Sequence, residues 1–130
     1  MKRLLEIEFQ FDRKGLNKFL SGFTKMDKKK ALIKELKSFR KKVDKDFKLE
    51  KVIFFGSRAR GKASRYSDVD LILVSPKFKK LDFVERGAKM YNYWDIHYPV
   101  DFLCYTPKEF SKLKKQITIV QEAVKEGIEL

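Results

Sequence analysis

At 130 residues the chain has room for one domain with a real core, and not for two. No apolar run approaches the ~20 residues of a membrane span and no signal-peptide pattern opens the chain, so a cytoplasmic protein with no membrane partner is expected. Cys104 is the only cysteine, which excludes an internal disulfide and a thiolate metal cluster; the 31 basic and 18 acidic residues leave a net charge of +13, a balance that attracts polyanions but also arises in lysine-rich thermophilic surfaces.

Leu5, Ile7, Phe9 and Phe11 alternate with Glu6, Glu8 and Gln10, the pattern of a half-buried strand. Leu16, Phe19, Leu20 and Phe23 follow at helical spacing. Residues 1–26 are therefore expected to form an N-terminal extension, strand plus short helix, on a domain spanning 27–130. Asp27 is a candidate N-cap for a helix over 27–47, with Leu32, Leu36, Phe39, Val43 and Phe47 as its apolar stripe. The lysines around that stripe read as a solvated face or as a surface for RNA or a partner. A strand over 51–55 runs into Gly56-Ser57.

A second strand is expected over 68–74, with Val69, Leu71 and Leu73 on one face. Ile72 and Val74 continue the opposite face, and burial on both sides marks a central strand. Asp82 and Glu85 start a helix that should carry Val84, Ala88 and Tyr91 inward. Residues 99–105 make a third core strand. Thr106-Pro107-Lys108-Glu109 combines a capping box with proline at the first helical position. One last helix is expected from there, striped by Phe110, Leu113, Ile117, Val120 and Val124 and ended by Gly127. The alternation of elements predicts an α/β (α+β) domain, a small mixed sheet with helices packed on it.

The chemistry concentrates in three places. Asp68 and Asp70 lie two residues apart on a strand and so share a face, where like charges repel unless a cation sits between them. A hard divalent metal suits that pair. Upstream, Gly56-Ser57 offers backbone N–H groups to a phosphate, and Gly56 allows a close approach that a Cβ would obstruct. Arg58 and Arg60 are candidate bidentate phosphate ligands, with Lys62 and Arg65 weaker candidates in the same loop. Asp101 lies between large apolar neighbours, a setting in which an ionised carboxylate is expensive unless paired or metal-bound. His97 is given no role. Tyr91, Tyr93, Trp94 and Tyr98 read as core with one wet aromatic edge in preference to a base-stacking platform.

Gly56-Ser57, ten residues, then Asp68-Val69-Asp70, followed by Val100-Asp101-Phe102-Leu103, resemble the signature of the DNA polymerase beta-type nucleotidyltransferase superfamily. Gly56-Ser57-Arg58-Ala59-Arg60-Gly61 and Ser67-Asp68-Val69-Asp70-Leu71 are similar to its minimal stand-alone (MNT-type) members, and the resemblance covers roughly residues 27–126. It implies a polymerase beta-like fold with the site along one exposed face. It implies too a two-metal Mg2+ site held by Asp68, Asp70 and Asp101, with Asp101 helping to activate the attacking hydroxyl. Gly56, Ser57, Arg58 and Arg60 would bind an NTP, with ATP the leading donor. Small members of this kind resemble antitoxins paired with an all-helical HEPN-type toxin, which implies AMP transfer to a tyrosine of that partner. Two alternatives stand beside it: nucleotide addition to an RNA 3′ end, which the charge suits, and a non-catalytic nucleotide- or partner-binding module, for which the costly acidic cluster would be superfluous.

Overall fold

The computed structural model describes residues 25–64 and 66–130. The strand and helix expected within residues 1–24, and the weaker candidate Arg65, lie outside the described residues. Helix α1, Lys25–Phe47, begins two residues earlier than expected, so Asp27 lies in its first turn, where a carboxylate still meets the positive end of the helix dipole. Leu32, Leu36, Phe39 and Val43 are buried, as their spacing requires. The helix ends where Lys48 takes a positive φ of 48° and Asp44 accepts a hydrogen bond from the Leu49 N–H at 2.7 Å.

Four strands make a mixed sheet in the order β3-β2-β1-β4 among the described residues. Strand β1, Lys51–Phe55, pairs antiparallel with β2, Val69–Val74, and β2 pairs parallel with β3, Val100–Tyr105. Strand β2 is one residue shorter than predicted, and Asp68 stands just ahead of it. Alternation along β2 sends Val69, Leu71 and Leu73 into a core built with α1, while Ile72 and Val74 join Ile53, Phe55, Phe110, Val120 and Ala123 on the opposite face. The sheet is thus covered on both sides, and the site has to lie at its end.

A parallel pair needs a long crossover. A short helix, α2, Gly56–Ala59, follows β1, and the crossover from β2 to β3 comprises a 3-10 turn, Pro76–Lys80, and helix α3, Phe83–Tyr91. Asp82 caps α3 in a full capping box with Glu85. The inward face of α3 differs from the expected one. Val84, Ala88 and Tyr91 are exposed, and the buried residues are Arg86 and Met90. Arg86 reverses the pattern because it is 6% exposed yet fully partnered. Its Nε donates to the carbonyls of Phe78 and Leu81, both at 2.9 Å, and its Nη1 donates to the Cys104 carbonyl at 3.1 Å and to Glu109 at 2.7 Å. One guanidinium thereby ties the 3-10 turn, α3, the end of β3 and the next helix together. Cys104 beneath it is buried, and its thiol is pushed up to about 12, so it stays protonated.

The last helix is two helices, α4 Pro107–Leu113 and α5 Ile119–Glu126. Thr118 causes the break: its hydroxyl donates to the Leu113 carbonyl at 2.8 Å and accepts from the Gln121 N–H at 3.2 Å, capping a new helix. Ile117, expected in the apolar stripe, sits at the corner and is 99% exposed; Val124 is exposed as well. Strand β4, Ile128–Glu129, was not expected and pairs with β1. Gly127 makes that possible, since a Cβ there would stand 2.4 Å from the Ala123 carbonyl oxygen and 2.6 Å from Ile53 Cγ2.

Arg86→Ala should leave buried carbonyls without a donor and lower stability by about 2–4 kcal/mol; a thermal melt should fall by about 10 °C. Hydrogen bonding from Arg86 holds the Glu109 carboxyl below its ordinary range. A depressed carboxylate contributes stability that is present above its unfolded pKa and lost as pH falls through the folded value. Glu109→Gln should therefore flatten the acid limb of the stability curve below about pH 4, which urea titrations across that range would show.

Candidate active site

Strand β1 is apolar from Val52 to Phe55, is buried, and ends against Gly56. Gly56 has φ +82°, and a Cβ built on it would lie 2.2 Å from Oδ2 of Asp70. The residue is glycine for both reasons: the backbone turn is left-handed, and the carboxylate of the neighbouring strand occupies the space a side chain would need. Helix α2 starts at once. No side chain caps it, and helix geometry leaves the N–H groups of its first turn without intrahelical acceptors. Ser57 lies in that turn, half-buried, and its carbonyl accepts from Lys62 N at 2.9 Å.

The β2–β3 register pairs Asp70 directly with Asp101, while Phe55 of β1 pairs with Asp70 from the other side. Strands in a sheet are about 4.8 Å apart, so the two carboxylates stand at one level on one face. Asp70 is half-buried; Asp68 and Asp101 are exposed. The exposure of Asp101 corrects the inference from its apolar neighbours. Val100 and Phe102 point to the opposite face of the sheet and say nothing about the surroundings of the residue between them. Burial raises the Asp70 carboxyl above its ordinary range, Asp101 and Asp68 raise it further, and Arg60 opposes them. Asp70 therefore feels both other carboxylates at the mouth of the Gly56 turn.

These residues fit a hard divalent cation. The donors are all carboxylate oxygens, two of them are fixed by backbone register, and the accumulated negative charge has the sign a cation would relieve. Among the described residues no three acidic, histidine or cysteine groups already converge as a cage. What is preset is the Asp70–Asp101 pair, with Asp68 just outside the ladder.

The two arginines diverge. Arg58 turns away from the phosphate turn: its Nε donates to the Ser67 carbonyl at 2.7 Å, and its guanidinium lies 4.2 Å over the Tyr98 ring. Arg60 is exposed, acts electrostatically on Asp70, and has Glu126 of α5 at 3.9 Å. Lys62 and His97 are exposed. Trp94 stands edge-on to Phe39 and Phe102 and donates its Nε1–H to the Tyr98 carbonyl at 2.9 Å, while Tyr91 donates to the Val100 carbonyl at 2.7 Å. Trp94 packs against the core beside β3, while Tyr91 is exposed at its edge. The contacts of Tyr98 with Arg58 and of Glu126 with Arg60 escaped the sequence reading, because nothing in local spacing connects either residue to the Gly56 turn.

The Nucleotidyltransferase domain family matches residues 36–125, a span that holds all three aspartates and the Gly56-Ser57 turn. A Haemophilus influenzae protein named a probable protein adenylyltransferase, MntA, is 27% identical over 114 residues, covering 85% of this chain and 96% of that protein. A Sulfolobus solfataricus protein of known crystal structure, described as a candidate nucleotidyltransferase, superposes with a TM-score of 0.58. That superposition covers 81% of this chain and 84% of the other at 24% identity, a likeness of fold.

Because the Asp70 carboxyl titrates above its ordinary value, ionising it costs the native state free energy, and stability is regained as pH falls through the folded value. Asp70→Asn should raise Tm of the metal-free protein at neutral pH by about 2–4 °C, a gain that disappears once wild-type Asp70 is protonated. Melts in chelator from neutral to acidic pH measure both. Gly56→Ala should do the reverse, losing about 1–3 kcal/mol to its left-handed turn and the clash with Asp70.

Proposed function

The chain belongs to the nucleotidyltransferase domain family; from this premise we propose that it transfers AMP from ATP to a hydroxyl of a partner protein. The observation that carries the reading is the in-register pairing of Asp70 with Asp101 beside the Gly56 turn. The N–H groups at the start of α2, with Ser57 and Arg60, orient the triphosphate. Asp68, Asp70 and Asp101 would hold magnesium, which when bound neutralises charge on the triphosphate and on the leaving pyrophosphate. Asp101 is exposed, so an incoming hydroxyl can reach it. The acceptor oxygen attacks the α-phosphorus and forms the new P–O bond, while the bond to the bridging oxygen breaks. Pyrophosphate leaves with that electron pair, and the hydroxyl proton passes to the Asp101 carboxylate.

A protein acceptor is supported by the name of the Haemophilus relative, which this chain matches over nearly that protein's full length. A helical HEPN-type toxin, with this chain as its antitoxin, is the partner the minimal members suggest. A second reading, nucleotide addition to an RNA 3′ end, is favoured by one observation. Lys108, Lys112 and Lys115 line a shallow open groove on α4 and are all exposed, on a chain of net charge +13.

The test is transfer of label from α-labelled NTPs, with magnesium, into native lysate, beside an Asp68→Ala/Asp70→Ala control. A labelled protein band with ATP and wild type alone is the expected result, and the band identifies the acceptor. Label in nuclease-sensitive material would instead establish the RNA reaction. No label with any NTP, from folded protein that binds magnesium–ATP, would make the chain a binding module.

A further inference from the structure

We infer that Arg58 is a positioning residue that sets the place of Asp68, and not a ligand of the triphosphate. This rests on the transferase reading of Asp68, Asp70 and Asp101. Asp68 lies one residue outside β2 and is exposed, so the ladder does not fix it. Its neighbours do. On one side Ser67 gives its carbonyl to Arg58 Nε at 2.7 Å; on the other, Val69 N donates to the Pro99 carbonyl at 2.8 Å. The Arg58 guanidinium also rests on the Tyr98 ring, next to Pro99 and three residues ahead of Asp101.

One side chain thus joins the three pieces of the site: the Gly56-Ser57 turn from which it springs, the loop that delivers Asp68, and the segment that leads into Asp101. The far end of that contact is firm, since the Tyr98 carbonyl is held by Trp94, itself packed on Phe39 and Phe102. Planarity explains the residue type. Only arginine can lay a flat cation on a ring while its Nε–H points along the plane to a carbonyl. The same two contacts engage the Nε–H and a face of the guanidinium, and Arg60 is the arginine we assign to phosphate.

The test compares Arg58→Ala, Arg58→Lys and Arg60→Ala in the full chain, each verified as folded by circular dichroism. Manganese binding is read by electron paramagnetic resonance, and KM for ATP is read at saturating divalent ion. Arg58→Ala should weaken manganese binding about tenfold or more, as loss of a group that orients a metal ligand does. Its KM for ATP should stay within about threefold of wild type. Arg60→Ala should raise KM without weakening manganese binding, since it removes a positive charge from beside Asp70. Arg58→Lys should behave as Arg58→Ala, because lysine keeps the charge but neither the stack nor the Nε donation. Recovery by lysine, or a raised KM with manganese binding intact, would overturn the assignment. Should Arg58→Ala fail to fold, Tyr98→Leu removes the stack alone and must also weaken manganese binding. Wild type that binds manganese but labels no acceptor would sink the transferase reading, while the manganese comparison would still decide what Arg58 does.

Discussion

Everything at this site depends on the parallel pairing of β2 with β3, which forces Asp70 and Asp101 to the same level of one sheet face. Two like charges a strand spacing apart are unfavourable by themselves, and the Asp70 carboxyl is raised by its burial first and by Asp101 and Asp68 in addition. The sheet tolerates it because the rest of β2 is buried on both faces: Val69, Leu71 and Leu73 against α1, Ile72 and Val74 beneath α4 and α5. A register slip of one residue would turn every one of those side chains to the wrong face. The core therefore holds the carboxylates together against their repulsion, and the negative charge it gathers has the sign a cation would relieve.

Arg86 supplies the complementary constraint at the other end of β3. Parallel pairing is possible only because the chain crosses over between Val74 and Val100, and Arg86 fastens that crossover to the Cys104 carbonyl and to Glu109. The strand accordingly has a carboxylate at its start and a buried cation at its end. The first is exposed, and the second is hydrogen-bonded to protein groups through each of its three nitrogens. That division separates an exposed acidic edge from a structural basic anchor only a few residues away.

The parts of the molecule that sequence revealed are those governed by short periods. Gly56-Ser57 and Asp68-Val69-Asp70 are local motifs, and the α1 stripe and the two-faced pattern of β2 follow from repeats of 3.6 and 2 residues. What escaped was decided by contacts distant in sequence. Val84, Ala88 and Tyr91 fit an inward face by spacing, but carbonyls from the 3-10 turn and from β3 made Arg86 the better residue to bury. Ile117 fits a continuous stripe, yet the Thr118 hydroxyl caps a second helix and turns Ile117 outward while Phe110 and Val120 stay buried. Asp101 has apolar flanks whose burial concerns only the opposite face. The engagement of Arg58 with Ser67 and Tyr98 had no local signal, because the partners lie nine and forty residues further along the chain.

Strand β4 has only two residues, but it lies along β1, whose Val52-Ile53-Phe54-Phe55 run is rich in strand-forming apolar side chains. An uncovered edge of that composition is a template for strand addition by another molecule. Ile128–Glu129, followed by the bond from Leu130 N to the Val52 carbonyl at 2.9 Å, closes it. Arg40 fastens the same segment by donating to the Leu130 carbonyl. The short strand contributes little to the core, and its larger consequence is colloidal: among the described strands it occupies the edge of an apolar one that would otherwise be open to pairing with copies of itself.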